Sequence, residues 1–374
     1  MCKKSSQAIV FCNTLWFSLN FKYEVCERLL REYNSVKVIY LRKGPPHIKS
    51  KKKSLENNGC DFLSFTEYII YRLKKIYKIN KNSLLLTFTI GPILLGSLPI
   101  IFNQKRKIVV LEGLGRVFSS KKFIYKFLKV LLINIYRFIF YFSFTKIIVL
   151  NYTDFSYLLE ENISPLSKLN IIPGTGINKN HFNIENIKKY KTNSDKKNWI
   201  SYVGRIDKDK GFYSFIAAAS YLINNNCLKN HKFVAICPHD DIKNLPNGFS
   251  EDLKNRGIFL YPYVPDILVY YCNIKILVIP TIYAEGLSRV ALEATLLGIP
   301  VVGTFNRGVV SIVKNNYSGI LLHDSSSYRI AFSVQEIVEN YDYFVKNSKL
   351  HSNIIANRYG IEKSIKSLFD IISN

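Results

Sequence analysis

Two consecutive α/β domains, each a parallel sheet with crossover helices, are predicted by three features of this sequence. The chain has 374 residues, a length that suits two domains of ordinary size. Short apolar runs alternate with helix-length segments through both halves, the pattern of strands buried on both faces. A polar stretch, Asn183–Asn198 (NIENIKKYKTNSDKKN), separates the two series and reads as a linker. The expectation is two Rossmann-like domains facing a central cleft. They would be residues 1–182 and 199–358, joined by the linker 183–198, with 359–374 a helix returning to the first domain.

Taken in order, the first series of strand candidates is Ala8–Cys12, Val36–Leu41, Leu84–Phe88, Ile108–Leu111 and Ile147–Leu150. The second is Trp199–Val203, Lys232–Ile236, Ile258–Leu260, Ile276–Ile279, Val301–Val302 and Ile320–Leu321. The segment Leu84–Phe102 holds 19 uncharged residues and approaches membrane-spanning length. Gly91-Pro92 breaks it, so it reads as a buried strand, LLLTFT, followed by the start of a helix. Lys121–Phe142 is amphipathic: Lys122, Lys126, Lys129, Asn134 and Arg137 fall within an arc of about 140° and the rest is aromatic or aliphatic. That segment suits either an anionic membrane surface or a core helix with one solvated face.

Lys and Arg number 52 against 27 Asp and Glu, a net charge of +25. Such an excess fits an anionic partner, whether nucleic acid, anionic lipid or a phosphorylated small molecule. It also fits drift in a chain rich in Lys, Asn, Ile and Tyr. Placement sharpens the point. Residues 1–180 carry 29 basic and 10 acidic residues, net +19, and residues 181–374 carry 23 and 17, net +6. At 48% hydrophobic residues the chain is too apolar for a disordered basic tail. Its aromatic residues lie largely in apolar runs, and no helix-turn-helix, RNP or zinc signature appears, which argues against nucleic acid. The seven cysteines are odd in number and none is in CxxC spacing, so neither a disulfide framework nor a zinc site is expected. The N-terminal MCKKSSQAIVFCN has no signal-peptide core and reads as the first strand. A cytoplasmic location is the expectation.

Two constellations carry chemistry. Val203-Gly204-Arg205-Ile206-Asp207-Lys208-Asp209-Lys210-Gly211 follows a predicted strand and precedes a predicted helix, Phe212–Ile223. A glycine turn into a helix N-terminus presents free N–H groups to an anion. Arg205 and Lys210 add two cations that could neutralise a diphosphate without a metal. The D-x-D of Asp207 and Asp209 lies inside this loop and reads as exposed loop charges. Cys237-Pro238-His239-Asp240-Asp241 likewise reads as a strand-end loop rather than a metal cluster. The second constellation is Glu285-Gly286-Leu287-Ser288-Arg289-Val290-Ala291-Leu292-Glu293. A helix is expected to start near Gly286–Leu287, with N–H groups at Gly286, Leu287 and Ser288 and with Glu293 two turns beyond Glu285 on nearly the same side. A carboxylate, an anion-binding end and a second carboxylate then match the hydroxyls, diphosphate and ribose of a sugar nucleotide. Alternatively, Glu285 caps the helix and Glu293 lies on a solvated face.

Taken together with PGTGINKNHF and GIPVVGTFNRGVVSIVKNNYSGILL, these motifs resemble the family 4 retaining glycosyltransferases of the GT-B fold. In the first half, NTLWFSLNF, TFTIGPILLGS and LEGLGRVF look like a bacterial subset that extends polyprenyl-diphosphate-linked glycans in O-antigen, capsule or protein glycosylation pathways. The resemblance implies a nucleotide-sugar donor, a UDP-linked one being favoured, no cofactor or metal, and a saccharide or lipid-linked acceptor at the cytoplasmic face of the inner membrane. It implies that Arg205 and Lys210 bind the donor diphosphate, within a loop opened by Gly204. Glu293 would bond the ribose and Glu285 the donor sugar. Tyr263 and Val264 would cradle the base. Trp16, Asn20, Glu112 and Gly113 would face the acceptor. Many members carry His where Glu112 stands here, so Glu112 could act as base, orient the acceptor hydroxyl, or be structural. The subset often has Lys where Gly91 stands, which puts a phosphate contact there in doubt. A non-catalytic homologue of the same fold is the rival reading.

Overall fold

A computed structural model describes residues 4–44, 49–74, 82–119, 123–190 and 198–373. The chain divides into two compact units. One holds Met1–Val117, Lys121–Thr175 and Ser364–Asn374, and the other holds Phe118–Ser120 and Gly176–Lys363.

The first unit is built on a seven-stranded sheet. Its strands are β1 (Lys4–Thr14), β2 (Tyr33–Arg42), β3 (Cys60–Ser64), β4 (Leu84–Phe88), β5 (Arg106–Leu111), β6 (Lys146–Val149) and β7 (Leu169–Ile171). Their order is β3-β2-β1-β4-β5-β6-β7, and every pair is parallel. In register, Ala8 stands between Val36 and Leu84, and Val10 between Val38 and Leu86. These residues are fully buried, as expected for strands covered on both faces. The order reverses between β1 and β4, leaving a crevice outside the carboxyl ends of those two strands. β3 and β7 have no counterpart among the sequence candidates. β3 is an edge strand with a mostly half-exposed pattern, and β7 has three residues, so neither makes an apolar run.

Leu84–Phe102 does resolve into a strand and a helix, Ile90–Ser97, that starts two residues before Pro92. The tail helix, Ile361–Ser373, packs on the first sheet's body: Arg28 lies 5.5 Å from the Phe369 ring, and Ser364 Oγ donates to Pro173 O at 2.9 Å. Among the described residues no helix is long and apolar enough to cross a membrane.

The second unit carries β8 (Trp199–Val203), β9 (Lys232–Cys237), β10 (Ile258–Pro262), β11 (Ile274–Ile279), β12 (Val301–Thr304) and β13 (Gly319–Leu322). Their order is β10-β9-β8-β11-β12-β13, again all parallel. Side chains alternate between two cores, one on each face. Tyr202, Phe215, Ala235 and Val278 fill one; Val203, Ile236, Leu277 and Ile279 fill the other. This period of two is what a doubly covered sheet requires. The order reverses between β8 and β11, and both constellations follow those two strands. Of the expected linker, Asn183–Asn198, the first part is a short helix, Ile184–Lys188, belonging to the second unit, while 191–197 lie outside the described residues.

Candidate functional site

The β8 turn is shaped by two contacts. Tyr202, buried beneath it, donates its hydroxyl to Arg205 O at 2.6 Å, and Asp241 Oδ2 accepts from Ile206 N at 2.8 Å. Asp241 therefore anchors the loop. Asp207 Oδ1 accepts from Asp209 N at 2.8 Å, a local turn. Among the described residues no group of three His, Cys, Asp or Glu side chains converges as a metal site. Gly211 stands in the left-handed region, φ +84°, and starts the helix Phe212–Asn224. A Cβ there would sit 2.4 Å from Pro280 O, so only glycine lets the β8 loop close on the β11 loop.

That closure brings the two motifs together. Asp209 O accepts from Ile282 N at 2.8 Å and Tyr283 N at 3.1 Å. Lys210 Nζ then meets Glu285 Oε1 in a direct ion pair and lies 4.6 Å from the Tyr283 ring centroid. Thr281 Oγ1, which donates to Asp209 O at 3.2 Å, stands 3.5 Å from the same carboxylate oxygen. The pair is half-buried, with side-chain exposures of 21% and 14%, so a ligand can reach it. Arg205 is exposed on the same turn. Two cations and a carboxylate thus stand at the point where the strand order reverses.

The helix after Glu285 differs from expectation. It runs Arg289–Leu296, with Ser288 as N-cap, so Glu285 to Leu287 are loop. Ser288 N donates to Gly308 O at 3.1 Å, which commits one of the three expected anion-binding groups to the protein in this structure. Gly308 permits this approach: a Cβ there would lie 2.9 Å from Ser288 N and 3.1 Å from Glu285 Cβ. Asn306 Nδ2 donates to Tyr283 O at 2.6 Å from the same side.

Glu293 is on the helix and is buried, not solvated. Its Oε2 accepts from Tyr271 at 3.0 Å and its Oε1 from Arg289 Nε at 3.1 Å. Burial holds its pKa above the ordinary carboxylate range, against the lowering effect of Arg289, Tyr271 and His181. Tyr263 is 40% exposed, with Val264 half-buried beside it, and both Glu293 and Arg205 act on it electrostatically. The structure therefore gathers Gly204, Arg205, Lys210, Glu285, Glu293 and Tyr263 at the carboxyl ends of β8 to β11. Thr281, Tyr283, Asn306 and Tyr271 complete the arrangement. Nothing in the sequence marks them as site residues beyond lying in or near a motif.

The first unit holds a second cluster. Lys22 is 2% exposed and pairs with Glu112 after β5. The Lys22 ammonium lies 4.5 Å from the Phe88 ring centroid and 5.2 Å from that of Phe17. Nothing in the sequence pattern singles out Lys22. Gly113, φ +123°, opens the loop after Glu112. Trp16 and Asn20 lie on the helix Leu15–Phe21, where Asn20 Nδ2 donates to Trp16 O at 3.2 Å. Gly91 lies on the Ile90–Ser97 helix beside Leu41. Thr89 before it takes φ 70°, ψ 160°, a conformation nearly confined to glycine.

Comparison with known proteins decides what the second unit is. Residues 183–359 match the family "Glycosyl transferases group 1". The second unit is a group 1 glycosyltransferase domain. The chain is 25% identical over 206 residues to the capsular polysaccharide biosynthesis glycosyltransferase CapM of Staphylococcus aureus, covering 53% of each protein. It is 26% identical over 266 residues to the UDP-Gal:alpha-D-GlcNAc-diphosphoundecaprenol alpha-1,3-galactosyltransferase of Escherichia coli, covering 68% of this chain and 64% of that protein. The matches thus span between about half and two thirds of these relatives' lengths. Among solved structures, Anabaena HepE in complex with UDP and glucose aligns with TM-score 0.73 at 13% identity, over 98% of this chain and 99% of that one. WaaG, a glycosyltransferase involved in lipopolysaccharide biosynthesis, aligns with TM-score 0.70 at 14% identity, over 98% and 100%. The fold is GT-B, with a Rossmann-like sheet in each unit.

Proposed function

We propose that the protein is a retaining, family 4 transferase. It would move a hexose or N-acetylhexosamine from a nucleotide sugar, a UDP-linked one first among the candidates, to a polyprenyl-diphosphate-linked or other saccharide acceptor. The observation that carries this reading is the Lys210–Glu285 pair at the β8/β11 reversal, with Arg205 exposed beside it. A nucleoside diphosphate takes Lys210 and Arg205 as counter-cations. That frees Glu285 to accept from the hydroxyls of the donor sugar. Both cations then stabilise charge as it develops on the departing diphosphate, which is where positioned charge accelerates most. The bond from the anomeric carbon to the diphosphate oxygen breaks while the acceptor oxygen adds on the same face, and the acceptor proton leaves with the diphosphate. Glu293, fixed by Tyr271 and Arg289, is assigned to the ribose, and Tyr263 with Val264 to the base. Glu112, Gly113, Trp16 and Asn20 are assigned to the acceptor side.

Support for the donor and acceptor classes comes from the relatives: HepE is described with UDP and glucose, and the E. coli enzyme with UDP-Gal and a diphosphoundecaprenol acceptor. A lipid-linked acceptor places the work at a membrane surface, which we assign to the cytoplasmic face of the inner membrane. The test is a screen of UDP-, GDP- and dTDP-sugars against polyprenyl-diphosphate acceptors, read as product formation. Transfer from one donor, lost in Lys210→Ala and Glu285→Ala, is expected. No transfer or donor hydrolysis with any sugar nucleotide would favour a non-catalytic homologue.

A further inference from the structure

We propose that Phe305, backed by His323, is a stacking platform for a pyranose ring beside the Lys210–Glu285 pair. This rests on the sugar-nucleotide reading above and adds a specificity-determining residue to it. The platform follows from the register of two strands. Thr304, the last residue of β12, stands opposite Leu322, the last of β13. Phe305 and His323 therefore leave the sheet side by side, and Phe305 N donates to Leu322 O at 2.7 Å. Their rings stack, with centroids 4.8 Å apart and planes inclined by 22°.

Phe305 is nevertheless 47% exposed and joins neither core of the second unit. Packing against the sheet is thus not what this ring is for. One face rests on the imidazole and the rest is open to solvent. Ile282, 44% exposed after β11, adds a second apolar side chain on the same row of strand ends.

Two hydrogen bonds tie the platform to the site. Thr304 Oγ1 donates to Thr281 O, and Thr281 Oγ1 stands 3.5 Å from Glu285 Oε1. Asn306 Nδ2, one residue past the ring, donates to Tyr283 O at 2.6 Å. Along the order β8-β11-β12-β13 the carboxyl ends carry in turn the cations, the Glu285 carboxylate and the aromatic stack. A pyranose matches the last two. Its hydroxyls donate to a carboxylate, and the C–H bonds on one face of the ring turn partial positive charge toward the negative face of an aromatic ring. A prenyl chain has no hydroxyl for Glu285 and needs a longer apolar groove than one ring and one isoleucine. A protein partner needs a far larger surface. The pyranose is either the transferred sugar or the acceptor residue that receives it.

The test measures binding and transfer separately, so that the platform and the catalytic reading can fail apart. Calorimetry gives Kd for UDP-, GDP- and dTDP-hexoses and for the bare nucleoside diphosphates. Steady-state rates give KM for N-acetylglucosamine linked through a diphosphate to an undecaprenyl or a farnesyl chain. Phe305→Ala should weaken one saccharide constant by about tenfold, the donor Kd if the transferred sugar is held or the acceptor KM if its partner is, and leave the bare diphosphate within about twofold. Phe305→Leu keeps apolar bulk without a flat face and should lose as much, so it serves if Phe305→Ala does not fold. Phe305→Trp should keep the wild-type constants. His323→Ala removes the backing and should cost about threefold. Wild-type saccharide constants in both the Ala and Leu variants would overturn the proposal. So would an equal loss for the bare diphosphate, which would give Phe305 a role in the loop alone. A loss confined to the undecaprenyl acceptor and absent with the farnesyl one would assign the ring to the lipid chain instead. Hexose binding that depends on Phe305 without any transfer would leave the platform standing and remove the catalytic reading. Failure of wild type to bind every saccharide probe would overturn both.

Discussion

Both units use the same device in different states of openness. Each sheet reverses its strand order once and sets a lysine against a glutamate at its carboxyl end. In the second unit the pair is half-exposed and its lysine has one aromatic neighbour, Tyr283. In the first unit the lysine side chain is 3% exposed and sits beside Phe17 and Phe88. A pair with access to solvent can exchange its partner for a ligand at little cost. A lysine sealed by aromatic rings cannot, although Glu112 at 16% is as exposed as Glu285, because a buried charge without its counter-ion is strongly destabilising. The first pair therefore holds the Glu112 carboxylate in place, whereas the second can open.

The sharpest way to break this contrast is to remove the lysine from each pair. Lys210→Ala and Glu285→Ala should each lower transfer by about 10²–10³-fold. Their thermal midpoints should stay close to wild type, since a half-exposed pair contributes at most about 1 kcal/mol. Steady-state rates with saturating donor, beside a melting curve, check both halves, and wild-type turnover in either variant would remove the pair from the site. Lys22→Ala should instead act on stability, by about 3 kcal/mol. Calorimetry reads this directly. The double variant Lys22→Met/Glu112→Leu should recover most of the loss, because it leaves no unpaired charge. A Lys22→Ala protein as stable as wild type would mean that the first pair is as open as the second.

A smaller effect tests how the open pair is positioned. Gly308→Ala puts a methyl group 3.1 Å from Glu285 Cβ and 2.9 Å from Ser288 N. Overpacking of this kind costs about 1–3 kcal/mol. The strain falls on the loop carrying Glu285, so transfer should drop more than the melting temperature implies. A variant that loses stability but keeps its rate would show that the Glu285 loop tolerates displacement.

The same contrast explains what the sequence made legible. Strands such as Leu84–Phe88 and Ile274–Ile279 are apolar but for Thr87 and Lys275 because both faces are covered, so two parallel sheets were legible. Cys60–Ser64 was hidden because an edge strand need not be apolar throughout. The open pair was readable because Lys210 and Glu285 each lie in a loop whose glycines and charges stand out. The sealed pair was not, since a lysine in a helix-rich stretch is ordinarily solvated, and only the packing of Phe17 and Phe88 reveals otherwise. The Phe123–Phe142 helix shows the same limit. Its periodicity defined two arcs, but which arc meets the protein is decided by Tyr157, Glu161 and Asn162, far along the chain.

The smallest expected effect concerns Glu293, a carboxylate that is sealed although it lies beside the open pair. Burial raises its pKa in the folded chain from the ordinary 4.5. Between that value and the raised one, the folded state holds more protons than the unfolded state. Stability must then fall as pH rises through this window and level off above it. Glu293→Gln removes the titration and should flatten this part of the profile, while Tyr271 and Arg289 keep an oxygen to donate to. Thermal midpoints measured from about pH 4 to about pH 7, wild type against variant, give the difference directly. A wild-type curve that rises relative to Glu293→Gln over this range would mean that Arg289 and Tyr271 outweigh burial. Glu293 would then belong with the open pair, as a carboxylate kept charged for its ligand.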